Sequence, residues 1–125
     1  MAGLRAWTWT PSTPSAFSYP DGRRPLDFID ILNVGCYTGR EAPETALEDF
    51  NAGGAGELPP PKQFRRLARW RDRNKPGMPI WLTETGYGSA GPFGTDERTQ
   101  AARLPRMVML ALANGTDKVF VYRES

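Results

Sequence analysis

The segment PIWLTETGYG, residues 79–88, carries one carboxylate, Glu84, at the tip of an apolar run. Ile80, Trp81 and Leu82 precede it, and Thr85-Gly86-Tyr87-Gly88 breaks the run at once. Two other apolar runs end in polar groups. LDFIDILNVGCY ends in Tyr37, and KVFVYRE ends in Tyr122-Arg123-Glu124. The chain has no histidine, which removes a His-based triad, a histidine general base and a His-ligated metal. Acid–base chemistry therefore falls to carboxylates, tyrosines or lysines. Cys36 is the only cysteine, so no internal disulfide forms and the redox compartment stays open. The glycine-rich stretch GYGSAGPFG lacks the Gly-Lys-Ser/Thr ending of a phosphate loop, and no cofactor or metal is expected.

These residues need elements to hold them. The 125 residues fit a single domain, 1–125, long enough for an ordinary core. Sixteen Lys and Arg against 14 Asp and Glu leave a net charge of +2, which gives no general argument for nucleic acid. No apolar run reaches the length of a membrane span. The first residues, MAGLRAWTWTPSTPS, lack the apolar core of a signal peptide, and localisation stays open. Residues 1–25 form a loop-rich lead-in, broken by Pro11, Pro14, Pro20 and Pro25 and holding Trp7, Trp9, Phe17 and Tyr19. A short strand at Leu4–Thr8 is an option there.

A first strand is expected within residues 26–37, best over Ile29–Val34. Its near-continuous hydrophobicity fits a strand covered on both faces. Residues 38–61 form a long polar connection, in which APETALEDF suits a short helical turn. An amphipathic helix follows at Lys62–Asn74, with Pro61 in its first turn and Pro76-Gly77 as its stop. A second strand runs Ile80–Glu84. A second helix starts at a Thr95 or Asp96 cap and stops at Asn114-Gly115, with a kink or local break expected at Pro105. Lys118–Glu124 is a third strand. Alternating strands and helices predict an α/β fold with parallel strands and right-handed crossovers.

In such folds, sites gather at the carboxyl ends of the strands. Tyr37, Glu84 and the Tyr122 group all lie at such ends. Strict alternation puts Ile80, Leu82 and Glu84 on one face, and Trp81 and Thr83 on the other. If Leu82 faces the interior, Glu84 does too, and Trp81 packs outward against flanking helices. An inward carboxylate needs solvent or hydrogen bonds. The competing reading is a loop carboxylate that caps a neighbouring backbone.

PIWLTETGYG, followed by ERTQAARLPRMVMLALANGTDKVFVYRES, resembles the last βαβ unit of a clan A (β/α)8-barrel glycoside hydrolase. DFIDILNVGCYTG is similar to strand six of the same barrels, and the resemblance covers about residues 26–125. It implies a partial TIM barrel holding strands six to eight. It implies a retaining mechanism on O-glycosidic bonds of a polysaccharide or oligosaccharide. Carried over by position, Glu84 is the nucleophile, Tyr37 orients it, and Tyr122 lines the sugar subsite. Tyr87 adds a second aromatic able to stack on a sugar.

The family's acid/base glutamate follows an asparagine at the end of strand four, and this chain has no Asn-Glu pair. Gly35 stands where the family has a histidine. The expectation is a barrel fragment, inactive alone, whose partners are a carbohydrate substrate and the missing N-terminal part of the barrel. Nucleic acid and membranes are not expected partners. Other readings remain open: a non-catalytic carbohydrate-binding or interaction remnant, a different α/β enzyme using Glu84 as a general base, or Glu124 as partner of Glu84. The basic run KQFRRLARWRDR is read as a solvated helix face, with phosphate binding as the sharper option.

Overall fold

The computed structural model describes residues 18–45, 58–92 and 94–122. The strand option at Leu4–Thr8, Trp7, Trp9, Phe17, residues 46–57 of the 38–61 connection, and Arg123 and Glu124 lie outside them. A 3-10 turn at Pro25–Phe28 leads into β1 (Leu32–Gly35), α1 (Pro60–Asn74), β2 (Ile80–Thr85), α2 (Glu97–Ala113) and β3 (Lys118–Val121). The three strands form one parallel sheet in the order β1-β2-β3. This is the α/β arrangement that the strand–helix alternation predicts.

Crossovers of one hand between strands taken in sequence put both helices on the same side. The packing agrees. Phe64 of α1 and Met107 and Ala111 of α2 close over Cys36 and Leu82. Leu67, Ala68 and Trp70 of α1 pack beside Leu32 and Ile80.

The helices begin and end where local chemistry requires. Pro60 and Pro61 open α1 two residues before the expected start, since proline lacks an N–H that the first turn cannot use. The Asp96 carboxylate caps α2, accepting the Thr99 N–H at 2.9 Å and the Thr99 hydroxyl at 2.6 Å. Gly115 ends it at φ +102°, where an added Cβ would stand 2.7 Å from the Ala68 Cβ on α1. Of the kink or local break expected at Pro105, the break is absent: α2 continues from Glu97 to Ala113. Pro105 and Ala101, whose carbonyl loses its donor, are both exposed, so water can take that place.

Strand β1 starts at Leu32 rather than Ile29. Leu26–Phe28 winds into the 3-10 turn instead, with the Arg24 N–H donating to the Asp27 carboxylate at 2.7 Å. The Lys75 ammonium then donates to the carbonyls of Leu26 and Ile29, at 3.0 and 2.5 Å. The Ile29 carbonyl is thus bonded to a side chain. The segment's hydrophobicity serves the helix-side core through Leu26, with Ile29 packed against it.

Strict alternation along β2 also fails, and this correction matters most. Ile80 and Leu82 face the helices, as do Thr85 and Tyr87 further on. The pairing runs Val34↔Leu82 and then Gly35↔Glu84, so Thr83 is an extra residue, a β-bulge. The bulge inverts the parity of the strand. Glu84 therefore lies across the sheet from Leu82, not on its face. Trp81 is likewise on the face away from α1 and α2, not beneath them. Its ring is 5.7 Å from that of Phe120, and the Lys118 ammonium sits 4.5 Å from its centroid.

The opposite end of the sheet is fastened by a charged group. The Ile80 N–H donates to Asp117 Oδ2 at 2.7 Å, and the Asp117 N–H returns to the Ile80 carbonyl at 2.8 Å. Arg71 donates to the Met78 carbonyl at 2.7 Å and stands 3.9 Å from Asp117. Ile80 is buried, so losing the acceptor orphans a buried N–H. Asp117→Ala is expected to cost about 1–3 kcal/mol in urea unfolding. Asp72→Ala, which removes only an exposed partner of Arg71, is expected to cost less than about 1 kcal/mol. Equal losses would overturn this assignment.

Candidate active site

The bulge builds the site. Leu32, Val34 and Cys36 face the helices, so Gly35 and Tyr37 face the other way by alternation. Glu84 shares that second face. A Cβ added to Gly35 would lie 3.7 Å from the Glu84 Cβ. The Tyr37 hydroxyl donates to Glu84 Oε2 at 3.4 Å, a long contact that a small inward shift would turn into a strong bond. The Glu84 side chain is exposed, and its carboxylate caps no backbone N–H among the described residues.

Gly86 comes next on the same face, and it governs how closely β3 approaches. A Cβ there would stand 2.6 Å from the Tyr122 carbonyl oxygen and 3.9 Å from Tyr37 Cε1. The Tyr122 N–H donates to the Thr85 carbonyl at 2.8 Å, which extends the ladder one residue past β3. Tyr122 is 54% exposed. Tyr37, Glu84 and Tyr122 are therefore brought to one end of the sheet, and the first two touch. Trp81 and Phe120 lie on the same face as Glu84, nearer the strands' starts.

Tyr87 is not part of this group. It is 5% exposed and packs in the core with Leu82 and Met107. Its hydroxyl is 2.7 Å from the Thr38 hydroxyl, which also donates to the Glu41 carbonyl at 3.0 Å. A carbonyl only accepts, so the Thr38 proton goes there and Tyr87 supplies the proton for the bond between the hydroxyls. Burial pushes the Tyr87 phenol above its ordinary pKa, which keeps it a neutral donor. Tyr87 ties the loop after β2 to the loop after β1, which carries Tyr37.

A second tie holds the same loop from outside. Arg106 of α2 binds both oxygens of Glu44, at 2.8 and 2.6 Å. This bond holds the Glu44 carboxyl below its ordinary value of 4.5. A depressed carboxyl stabilises the fold above its unfolded value, and that stabilisation is lost as pH falls through the folded value. The loop is therefore fastened at neutral pH and loosened in acid.

Sequence reasoning missed Trp81 on this face and the roles of Gly86 and Thr38. The pair Thr85-Gly86 after a carboxylate was the available signal, since glycine inside a strand end marks close backbone approach. The described residues contain no cluster of His, Cys, Asp and Glu able to hold a metal ion. No family model, curated protein or solved structure matches the chain.

Gly86→Ala is expected to separate β3 from β2 at the site and cost about 1–3 kcal/mol in urea unfolding. Gly88→Ala, whose new Cβ would meet only Ala90 O at an ordinary 3.7 Å, is the matched control and is expected to be near neutral. An equal effect at both positions would show that the approach of Tyr122 is not what fixes Gly86.

Proposed function

We propose that the chain is the strand-six-to-eight sector of a retaining (β/α)8-barrel glycoside hydrolase, with Glu84 as its nucleophile. The observation that carries this reading is the position of Glu84. A bulge turns it away from the helices at a strand's carboxyl end, with the Tyr37 hydroxyl against one of its oxygens. In a closed barrel the face away from the helices is the interior, and its carboxyl end is the mouth. Sequential parallel strands with both helices on one side are what such a sector requires.

The chemistry follows from that placement. Glu84 attacks the anomeric carbon with the oxygen that Tyr37 leaves free and forms a glycosyl-enzyme bond as the glycosidic C–O bond breaks. The departing oxygen takes its proton from the acid/base carboxyl, and water, deprotonated by that same carboxylate, then displaces Glu84 from the sugar. The phenol contact to Oε2 orients the carboxylate. Tyr122, exposed beside the carboxylate's end of the sheet, offers a ring to the sugar. Tyr87 supports the loops and does not meet the sugar. The acid/base carboxyl, about 5 Å from Glu84 in a retaining enzyme, comes from a part of the barrel outside these residues. The chain alone is accordingly expected to hydrolyse nothing.

The test uses a barrel completed by its upstream strands. An activated 2-fluoro glycoside should label Glu84, seen by peptide mapping as one added fluorosugar. Glu84→Gln should abolish labelling and lower kcat by roughly three orders of magnitude or more, as losing a covalent nucleophile does. Unchanged turnover in Glu84→Gln would sink the nucleophile assignment. Sugar binding without turnover by the completed barrel would favour the non-catalytic remnant.

A further inference from the structure

Helix α1 carries a line of cations that the core does not use. Lys62, Arg66, Arg69 and Arg73 recur at intervals of four, three and four residues, so they lie on one face over about 16 Å of helix. All four are exposed. None has an ion pair or a side-chain hydrogen bond among the described residues. The other two cations of the segment have work elsewhere. Arg65 donates to Asn114 Oδ1 at 2.9 Å at the end of α2, and Arg71 holds the Met78 carbonyl. With Leu58, the five outward cations from Lys62 to Arg73 line a shallow surface groove.

A helix face that is merely solvated gains from alternating signs. Here Lys62 and Arg66, and again Arg69 and Arg73, are like charges four residues apart, which destabilises a helix by a few tenths of a kcal/mol per pair. Residues 62–73 hold six cations and one anion in a chain of net charge +2, so the remaining sequence is net acidic. The positive charge is concentrated, not spread. An anion laid along the line removes the repulsion.

The chemistry of the line narrows the anion. Three of the four are arginines, whose planar forks match carboxylates and phosphates alike in paired hydrogen bonds. The groove lining holds no aromatic side chain. Trp70, a helical neighbour of Arg66 and Arg73, is half-buried against the sheet-side core, so no open ring platform for stacking bases lines the groove. The apolar side of α1 is spent on the sheet, so the helix has nothing to insert into a lipid surface. Lys62 lies in the first turn of α1, where the chain returns from the strand ends that carry Glu84.

We propose that this line binds a linear polysaccharide bearing carboxylates, a uronic-acid chain, that passes over the rim of the sheet toward Glu84. The choice of a sugar polymer rests on the glycosidase reading; the demand for an anion does not. Binding of an oligogalacturonate to the 125-residue chain is measured by calorimetry, beside a neutral glucan and a single-stranded oligonucleotide of matched charge. Wild type is expected to bind the uronate, to lose affinity as salt rises, and to ignore the glucan. Arg66→Gln/Arg69→Gln/Arg73→Gln is expected to weaken binding more than about tenfold, roughly 1.4 kcal/mol, with unchanged circular dichroism. Arg23→Gln, an exposed cation ahead of β1, is expected to bind as wild type does, which separates this line from positive charge in general. Absence of uronate binding, equal binding by the triple variant, or tighter binding of the oligonucleotide would each overturn the proposal.

Discussion

A β-strand has a period of two, and one extra residue inverts everything after it. Thr83 is that residue in β2. Before it, Ile80 and Leu82 feed the layer beneath the helices. After it, Thr85 and Tyr87 feed the same layer, and Glu84 and Gly86 turn the other way. With strict pairing, Glu84 would enter the apolar layer beside Met107. An unpaired carboxylate there would be forced to neutralise or to open the core. The bulge gives the strand both a continuous core and an outward carboxylate. The Thr83 hydroxyl helps hold it, donating to the Val34 carbonyl at 3.1 Å.

The loops around Glu84 are fixed by different means on their two sides. Inside, the Thr38 and Tyr87 hydroxyls form a buried neutral bond, which salt does not screen. Outside, Arg106 and Glu44 form an exposed ionic one, which is worth little by itself and responds to both salt and acid. Between them, Tyr37 is held on the face of Glu84 while its hydroxyl stays a little beyond strong bonding distance. Gly86 sets the remaining side by letting the Tyr122 backbone approach. The site is thus a product of two loop attachments and one glycine, not of the strand alone.

Much of this was legible before any coordinates. The helix at Lys62–Asn74 followed from the spacing of Phe64, Leu67 and Ala68, and the α2 cap from Asp96 before a periodic run. The strand pattern put Tyr37 and Glu84 at carboxyl ends of strands, and their contact was what the resemblance to barrel glycosidases implied. What was hidden depends on contacts between distant residues. A bulge leaves no mark in the run Ile80-Trp81-Leu82-Thr83, where each side chain tolerates either face, so Trp81 and Leu82 were assigned to the wrong sides. The early start at Ile29 failed because Lys75, 46 positions away, takes the Ile29 carbonyl. Pro105 looked like a break because propensity counts a lost hydrogen bond, whereas at an exposed helix position water can supply the missing partner.

The outer strand has a consequence of its own. Among the described residues β3 pairs on one side only, and it reads Lys-Val-Phe-Val with Phe120 45% and Val121 51% exposed. A short, apolar, β-prone edge of this kind is a template on which any matching strand can add. Its one gatekeeper is Lys118, and that ammonium is already drawn over the Trp81 ring. Purified chain should therefore be handled as an aggregation-prone polymerisable edge: its colloidal behaviour will track concentration and ionic strength more than the strength of its core.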